Sequence, residues 1–203
     1  MIHQMKTPQK SLSATMLLLA ASAGVMPAST MADTFGTGGN TFTIDFVTIG
    51  NPGNAANYHP YGWSYGAVPY TYQMGTYEVS RDMITKANNA GGLGISLEDM
   101  TIYGGNVGTH PATGVSWFEA AKFVNWLNTS SGHAAAYNFD GNGNFTLWTP
   151  AEAWTQGGEN LYRNKEAHYF LPSENEWYKA AYYNGTRYFD SQPSHRKRGR
   201  RLS

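Results

Sequence analysis

An acidic, glycine-rich segment at residues 140–144 (Asp-Gly-Asn-Gly-Asn) matches the opening of a calcium-binding loop. Oxygen ligands at every second position suit a large, hard cation such as Ca²⁺. The match then fails, because Phe145 occupies the sixth position, where glycine is needed, and Ala151 the twelfth, where a bidentate carboxylate is needed. We therefore predict a hairpin turn here and assign no calcium ligand.

Ser116 is a second candidate, because Gly114-Val-Ser-Trp-Phe118 resembles the nucleophile elbow of a hydrolase. That elbow requires a glycine two residues after the serine, and Phe118 would crowd its strained turn. Ser116 also stands three residues before Glu119, which is the S-x-x-E pattern of a helix capping box. The spacing predicts the start of a helix rather than a nucleophile.

Histidines and carboxylates form no recognisable catalytic or metal-binding pattern. The H-E-x-x-H spacing of a helical zinc pair is absent, and four histidines are well separated in the sequence: His59, His110, His133 and His168. Each is expected to be a surface or packing residue. Glu174 and Glu176 lie beside a predicted helix start, where negative charge is favourable. We assign no catalytic, cofactor-binding or metal-binding residue.

The composition is that of one folded domain without cysteine chemistry. The chain has 203 residues, of which 41% are apolar and 14% charged, and it contains no cysteine. Thiolate catalysis, cysteine-zinc sites and redox switching are therefore excluded for these residues.

The first 32 residues have the features of a signal peptide. Lys6 and Lys10 precede an apolar stretch at residues 14–26, and small residues at 28–32 precede Asp33. We predict cleavage after Ala32 and a secreted, periplasmic or cell-surface protein. The stretch is shorter than the about 20 apolar residues of a membrane-spanning helix. An uncleaved helix lying at the membrane surface is the alternative.

Charge is distributed unevenly between the body of the chain and its end. Residues 33–186 carry 13 acidic and 6 basic residues, whereas residues 196–201 carry five basic ones. A nucleic-acid-binding domain needs clustered cations, so the acidic body excludes that class. The basic segment 187–203 is predicted to be a disordered tail.

Sequence patterns predict an α+β domain. Alternating apolar residues indicate strands at residues 42–49 and 70–79. Ser80 is expected to cap a helix that ends at Gly91-Gly92. Capping boxes mark two further helices, from Ser116 to residue 128 and from Ser173 to residue 181. Their predicted buried faces are Trp117, Ala120, Ala121, Val124 and Leu127 in the first and Trp177, Ala180 and Ala181 in the second. Residues 137–148 are predicted to form a hairpin.

Three segments together resemble the formylglycine-generating-enzyme, or sulfatase-modifying-factor, family. They are residues 72–80 (Y-Q-M-G-T-Y-E-V-S), 110–127 (beginning H-P-A-T-G-V-S-W) and 170–181 (F-L-P-S-E-N-E-W-Y-K-A-A). The resemblance covers roughly residues 42–185 and implies an irregular, loop-rich fold similar to C-type lectins. It corresponds to the amino-terminal part of the family's domain, so residues 33–186 are expected to be a partial domain, incomplete at the C-terminus.

The resemblance also implies a chemistry that this sequence does not support. Active members bind copper through a pair of C-terminal cysteines and oxidise a substrate cysteine, and this chain has no cysteine. Phe170 stands where the family usually has arginine, so a positive side chain is expected to be missing from that helix start. No family site residue is carried over. Copper or calcium is expected only if a further C-terminal part exists.

The resulting expectation is an exported sulfatase-modifying-factor-like domain that is not an enzyme as written and acts in binding or surface interaction. A glycan or a surface protein is the expected partner. One alternative is the amino-terminal fragment of a formylglycine-generating oxidase. Another is a lectin-like glycan binder, suggested by 14 Tyr and 6 Trp, although a core role for these aromatic residues is favoured. Residues 191–203 change abruptly in character, and an aberrant end from a frameshift or premature stop is expected there. The alternative is a genuine basic tail that binds acidic polymers or membrane surfaces.

Overall fold

The computed structural model describes residues 5–6, 30–59 and 62–189 and has an α+β fold, as predicted. Three α-helices are described: α1 (Arg81–Gly91), α2 (Trp117–Ser130) and α3 (Glu174–Tyr182). Short 3₁₀ turns lie at Gly38–Asn40 and Thr101–Tyr103. The strands are β1 (Met5–Lys6), β2 (Thr30–Phe35), β3 (Phe42–Ile49), β4 (Asn57–Tyr58), β5 (Ser64–Tyr65), β6 (Tyr72–Gly75), β7 (Asn138–Phe139), β8 (Phe145–Thr146), β9 (Ala153–Trp154), β10 (Asn160–Asn164) and β11 (Tyr169–Phe170).

One five-stranded sheet organises the domain, in the order β11-β1-β6-β3-β2, with every neighbouring pair antiparallel. The predicted strand at residues 42–49 is confirmed as β3, and its alternating apolar residues Phe42, Ile44 and Phe46 are buried. Phe42 stacks on Phe123 of α2 at 6.3 Å between ring centroids, which fixes α2 on this face. The predicted second strand is shorter than expected, since only Tyr72–Gly75 pairs within the sheet.

The predicted helix starts are confirmed by their side-chain caps. Ser80 accepts a hydrogen bond from the amide of Met83, and Gly92 ends α1 in a left-handed conformation with φ 62°. Ser116 and Ser173 each form a complete capping box with the glutamate three residues on. Such caps satisfy amide groups that the first helical turn leaves unpaired, typically stabilising a protein by about 1 kcal/mol each.

The predicted buried faces of two helices need correction. In α2 the four small or aliphatic residues of the predicted face are buried, but Trp117 is 43% exposed. In α3 the buried residues are Glu176, Tyr178 and Lys179, whereas Ala181 is exposed. Periodicity treats charged residues as solvent-facing, but here Glu176 pairs with Arg163 and Lys179 donates to the Asn51 carbonyl. The inner face of α3 therefore carries charged side chains with hydrogen-bond partners, where alanines were predicted.

Both ends of the predicted domain have structural features that the sequence did not indicate. β2 crosses the predicted cleavage point between Ala32 and Asp33, and β1 lies within the predicted signal peptide. Most of that peptide, residues 7–29, lies outside the described residues, so its removal stays a prediction. Described structure continues past the expected boundary at 186, since Tyr188 is buried and its hydroxyl donates to the Gly66 carbonyl. The rest of the predicted basic tail, residues 190–203, lies outside the described residues, so its disorder stays a prediction. In the described part of the chain, no helix is long and apolar enough to cross a membrane.

Candidate functional site: an aromatic cleft above a buried ion pair

A cleft of about 440 Å³ lies where the start of α2, the β7–β8 hairpin and β10 meet the segment leading into α3. Four aromatic side chains surround it and are at least partly exposed: Trp117, Phe118, Phe145 and Tyr162. Trp117 contacts Phe145 edge to face at 5.1 Å, and Phe145 stacks on Tyr162 at 5.7 Å. We call this surface the aromatic cleft.

Local sequence features hold the cleft's aromatic residues in place. Trp117 and Phe118 occupy the first turn of α2, directly after the Ser116–Glu119 capping box. Phe145 follows the Asp-Gly-Asn-Gly-Asn turn, in which Asp140 Oδ1 accepts hydrogen bonds from the amides of Asn142 and Asn144. The cleft walls are thus built on a capped helix and a closed turn, which gives them fixed positions rather than those of loose loops.

Arg163 lies at the floor of the cleft and forms a buried ion pair with Glu176 of α3. The Arg163 guanidinium binds both carboxylate oxygens of Glu176, at 3.0 and 2.8 Å, and donates to the Leu171 carbonyl at 2.6 Å. Arg163 is 5% exposed and Glu176 is fully buried. The Tyr70 hydroxyl also donates to Glu176, and the Arg163 guanidinium lies 5.2 Å from the Phe170 ring centroid. Bidentate geometry with further hydrogen bonds is what makes a buried ion pair tolerable.

The ion pair is charged in the folded protein. Burial alone would raise the pKa of Glu176, but hydrogen bonds and charge from Arg163 outweigh it and hold that pKa below its usual value. Burial would likewise lower the pKa of Arg163, and Glu176 reverses this and raises it. Burial also raises the pKa of the Tyr137 hydroxyl, beside the floor, to about 12. The two charges neutralise each other, so the floor presents no net charge to a ligand.

The ion pair also corrects an expectation about the start of α3. The sequence predicted that a positive side chain would be missing there, because Phe170 replaces the arginine usual in the resembling family. Arg163 of β10 supplies the charge from a different strand, and Phe170 lies beneath its guanidinium. The signal was hard to read, since Arg163 and Glu176 are 13 residues apart and belong to different elements.

A second cavity of about 240 Å³ adjoins the aromatic cleft, and the two share Asn160, Arg163 and Ser173. Polar side chains line it, among them Gln156, Glu159 and Asn175. The Asn160 side-chain oxygen Oδ1 is already engaged, because it accepts a hydrogen bond from the backbone amide of Tyr162. Together the cavities form a surface with an aromatic half and a polar half, which suits a ligand that has both apolar and hydrogen-bonding faces.

The structure places the sequence candidates mostly outside this surface. Ser116 lies at its border, but its hydroxyl donates to Glu119 Oε2 at 2.6 Å and accepts from the Glu119 amide, as a cap does. His59 stacks on Trp63 at 3.8 Å, and His110 is exposed. His133 and His168, far apart in sequence, stack at 4.6 Å. Glu174 is exposed, while Glu176 belongs to the ion pair.

Four residues of the candidate site were not predicted from the sequence as site residues: Tyr70, Asn160, Tyr162 and Arg163. Arg163 stands in the short strand Asn160–Asn164, which carries no capping box, repeat or glycine pattern. Arginine is seldom buried without a partner, so the burial of Arg163 could be predicted only if Glu176 were already known to pair with it.

The residues present do not fit the copper centre that the family resemblance implies. That centre needs a pair of cysteines, and the chain has none. Within residues 5–6, 30–59 and 62–189, no group of three or more His, Cys, Asp or Glu is placed to hold a metal ion. We therefore derive no step through copper. The Asp140 carboxylate is occupied by amides of its own loop, as expected for a turn.

Comparison with known proteins gives one match. A family model described as the sulfatase-modifying factor enzyme 1-like domain matches residues 66–201, which is more than half of the chain. No curated protein and no solved structure matches the chain. The matched range contains the whole aromatic cleft, the ion pair and all three helices.

Proposed function

The chain belongs to the sulfatase-modifying factor family, and from that membership we propose that it is an exported, non-catalytic member that acts by binding. The observation that carries the proposal is the aromatic cleft, a concave surface with exposed rings above a neutralised ion pair. Concave, mostly apolar surfaces with a few fixed polar groups are typical binding sites. The absence of cysteine supports the non-catalytic part. The loop-rich arrangement of small sheets is consistent with a C-type-lectin-like fold, which forms part of the proposal.

Export is tested by the mature amino terminus. We expect the protein recovered from its native host to begin at Asp33, because small residues at 28–32 follow the apolar stretch at a suitable distance. Amino-terminal sequencing of the recovered protein measures this directly. A mature chain that still begins near Met1 would contradict export by this route.

A neutral glycan is the ligand class that the cleft favours. Aromatic rings pack against the apolar faces of sugars, while amide and carboxylate groups such as Asn160 and Glu159 can bind sugar hydroxyls. The Arg163–Glu176 pair leaves no free charge in the floor, so an acidic ligand gains little there. Exposed Trp117 and Tyr162 provide the stacking surfaces, with 43% and 56% of their areas accessible.

The glycan hypothesis predicts that Tyr162→Ala weakens oligosaccharide binding about tenfold, since loss of an aromatic anchor costs more than about 1 kcal/mol. Tryptophan fluorescence during titration with neutral hexose and N-acetylhexosamine oligomers measures the affinity. Tyr103→Ala is the matched control, because Tyr103 is 70% exposed and lies outside the cleft. If no oligomer binds the unsubstituted chain, or both variants behave alike, the glycan assignment is wrong.

A further inference from the structure

Strand β1 is only two residues long, yet it separates two strands of the main sheet. Met5 pairs with Met74 of β6 and Phe170 of β11, and Lys6 pairs with Gln73 and Tyr169. We propose that the gap between β6 and β11 is a strand-acceptor groove, which an extended peptide from a partner occupies once processing has removed Met5–Lys6. The groove opens only if the proposed export removes Met5–Lys6. The inference does not depend on the ligand of the aromatic cleft.

Removal of Met5–Lys6 would leave two facing strand edges unpaired. With Met5–Lys6 in place the wall residues are 8% exposed or less: Gln73, Met74, Tyr169 and Phe170. Without β1, the N–H and C=O groups of these edges that face the gap would lose their ladder partners. Each buried, unsatisfied backbone group costs about 1–3 kcal/mol. A strand edge in that state pairs readily with an added strand, as in other β-augmentation sites.

Side chains of the groove walls indicate which peptide fits. The position opposite Met74 and Phe170 lies between two buried apolar residues, so it favours an apolar residue. The neighbouring position lies between Gln73 and Tyr169. The Gln73 Oε1 atom is buried and has no hydrogen-bond partner within the described part of the chain, which favours a residue that carries a donor. The expected peptide therefore has an apolar residue followed by a residue whose side chain carries a hydrogen-bond donor.

An apolar cavity of about 280 Å³ lies next to the groove, between α3 and the strands β3 and β6. Its sheet wall is formed by Val47, Ile49, Met74, Gly75 and Thr76, and its helix wall by Trp177, Ala180 and Ala181. Met74 belongs to both the groove and the cavity. Side chains of a strand alternate between its two faces. In the bound peptide, the residue two positions before the apolar one would therefore lie opposite Thr76 and on the side of this cavity.

Proline substitution in the full chain empties the groove. Met5→Pro with Lys6→Pro removes the amide donors that face both neighbouring strands. The probe is a fluorescent peptide of residues 1–10 of this chain, with binding followed by anisotropy. We expect the probe to bind the proline variant saturably. Its binding to the unsubstituted chain and to the Met5→Ala, Lys6→Ala control should be at least about tenfold weaker, because the groove stays filled in both. A probe carrying the same two prolines should not bind.

Two outcomes of the binding experiment would overturn the proposal. The first is a folded proline variant that does not bind the probe. The second is a proline variant that does not fold and is not restored by adding the probe, whereas restoration supports the groove.

A disulfide test in this cysteine-free chain checks the register: Lys6→Cys should cross-link with Gln73→Cys but not with Thr43→Cys, which is on β3. Equal cross-linking would contradict it. If the unsubstituted chain dimerises and the prolines abolish this, the donor is a second copy and the assignment to an outside peptide is wrong.

Discussion

Arg163→Met is expected to lower the free energy of unfolding by about 3–5 kcal/mol, because removal of one partner leaves the other charge buried and unpaired. Glu176 is fully buried and receives two hydrogen bonds from Arg163, neither of which a methionine side chain can make. Arg163 also binds the Leu171 carbonyl at the entry to α3, which would lose its partner as well. Urea denaturation followed by tryptophan fluorescence measures the change.

A surface ion pair provides the control for this prediction. Lys86 contacts Asp82 at 2.8 Å on the exposed side of α1, and Lys86→Met should change stability by less than about 1 kcal/mol. Replacing both buried partners, Arg163→Met with Glu176→Met, should destabilise less than Arg163→Met alone, because no charge is then left unpaired. If the double variant is less stable than the single one, the ion pair does not act as described.

The buried pair also gives stability a defined pH dependence. The pKa of Glu176 is held below its ordinary value in the folded state, so its contribution is present above the unfolded glutamate pKa of about 4.3. That contribution is lost as pH falls through the lower folded pKa, since the unfolded chain then binds the proton more readily. Glu176→Gln should therefore show a shallower loss of stability below about pH 4 than the unsubstituted chain.

Phe170→Ala is the second change with a large expected effect, about 3–5 kcal/mol of destabilisation. The Phe170 ring is fully buried, contacts Trp154 edge to face at 5.1 Å and lies beneath the Arg163 guanidinium. Its removal leaves a cavity between the sheet and the ion pair, so apolar burial and the support of Arg163 are lost together. The midpoint of thermal unfolding reports the change.

Phe118→Ala is the matched control, because Phe118 is 54% exposed at the rim of the aromatic cleft. We expect a change in stability of no more than about 1 kcal/mol for this variant. If the two phenylalanine variants are equally stable, Phe170 is not packed as described and the geometry beneath the ion pair is wrong.

Local elements of this chain could be read from sequence because their signals are local. The alternating residues 42–49 and the three serine caps at positions 80, 116 and 173 each depend on neighbours within a few residues. The hairpin prediction is also confirmed, since β7 and β8 pair across the predicted turn. Such elements can be predicted from the spacing of nearby residues, without knowledge of contacts with distant segments.

The functional surface could not be read in the same way, because it depends on contacts between distant segments. Trp117 continues the apolar periodicity of α2, yet it faces the cleft, since Phe145 of the hairpin meets it there. Lys179 looks solvent-facing, but its ammonium lies 2.9 Å from the Asn51 carbonyl, 128 residues away. Periodicity gives the direction of a side chain on its own helix and not the element that covers it.

We propose that this family member binds a ligand and does not perform the cysteine oxidation that the family resemblance implies. The most direct test is mass spectrometry of a cysteine-containing sulfatase peptide after incubation with the purified protein, copper and oxygen. We expect an unchanged peptide mass, equal to that of a control without protein, because the chain contains no thiolate to bind copper. Conversion of the peptide cysteine to formylglycine above that control would contradict it.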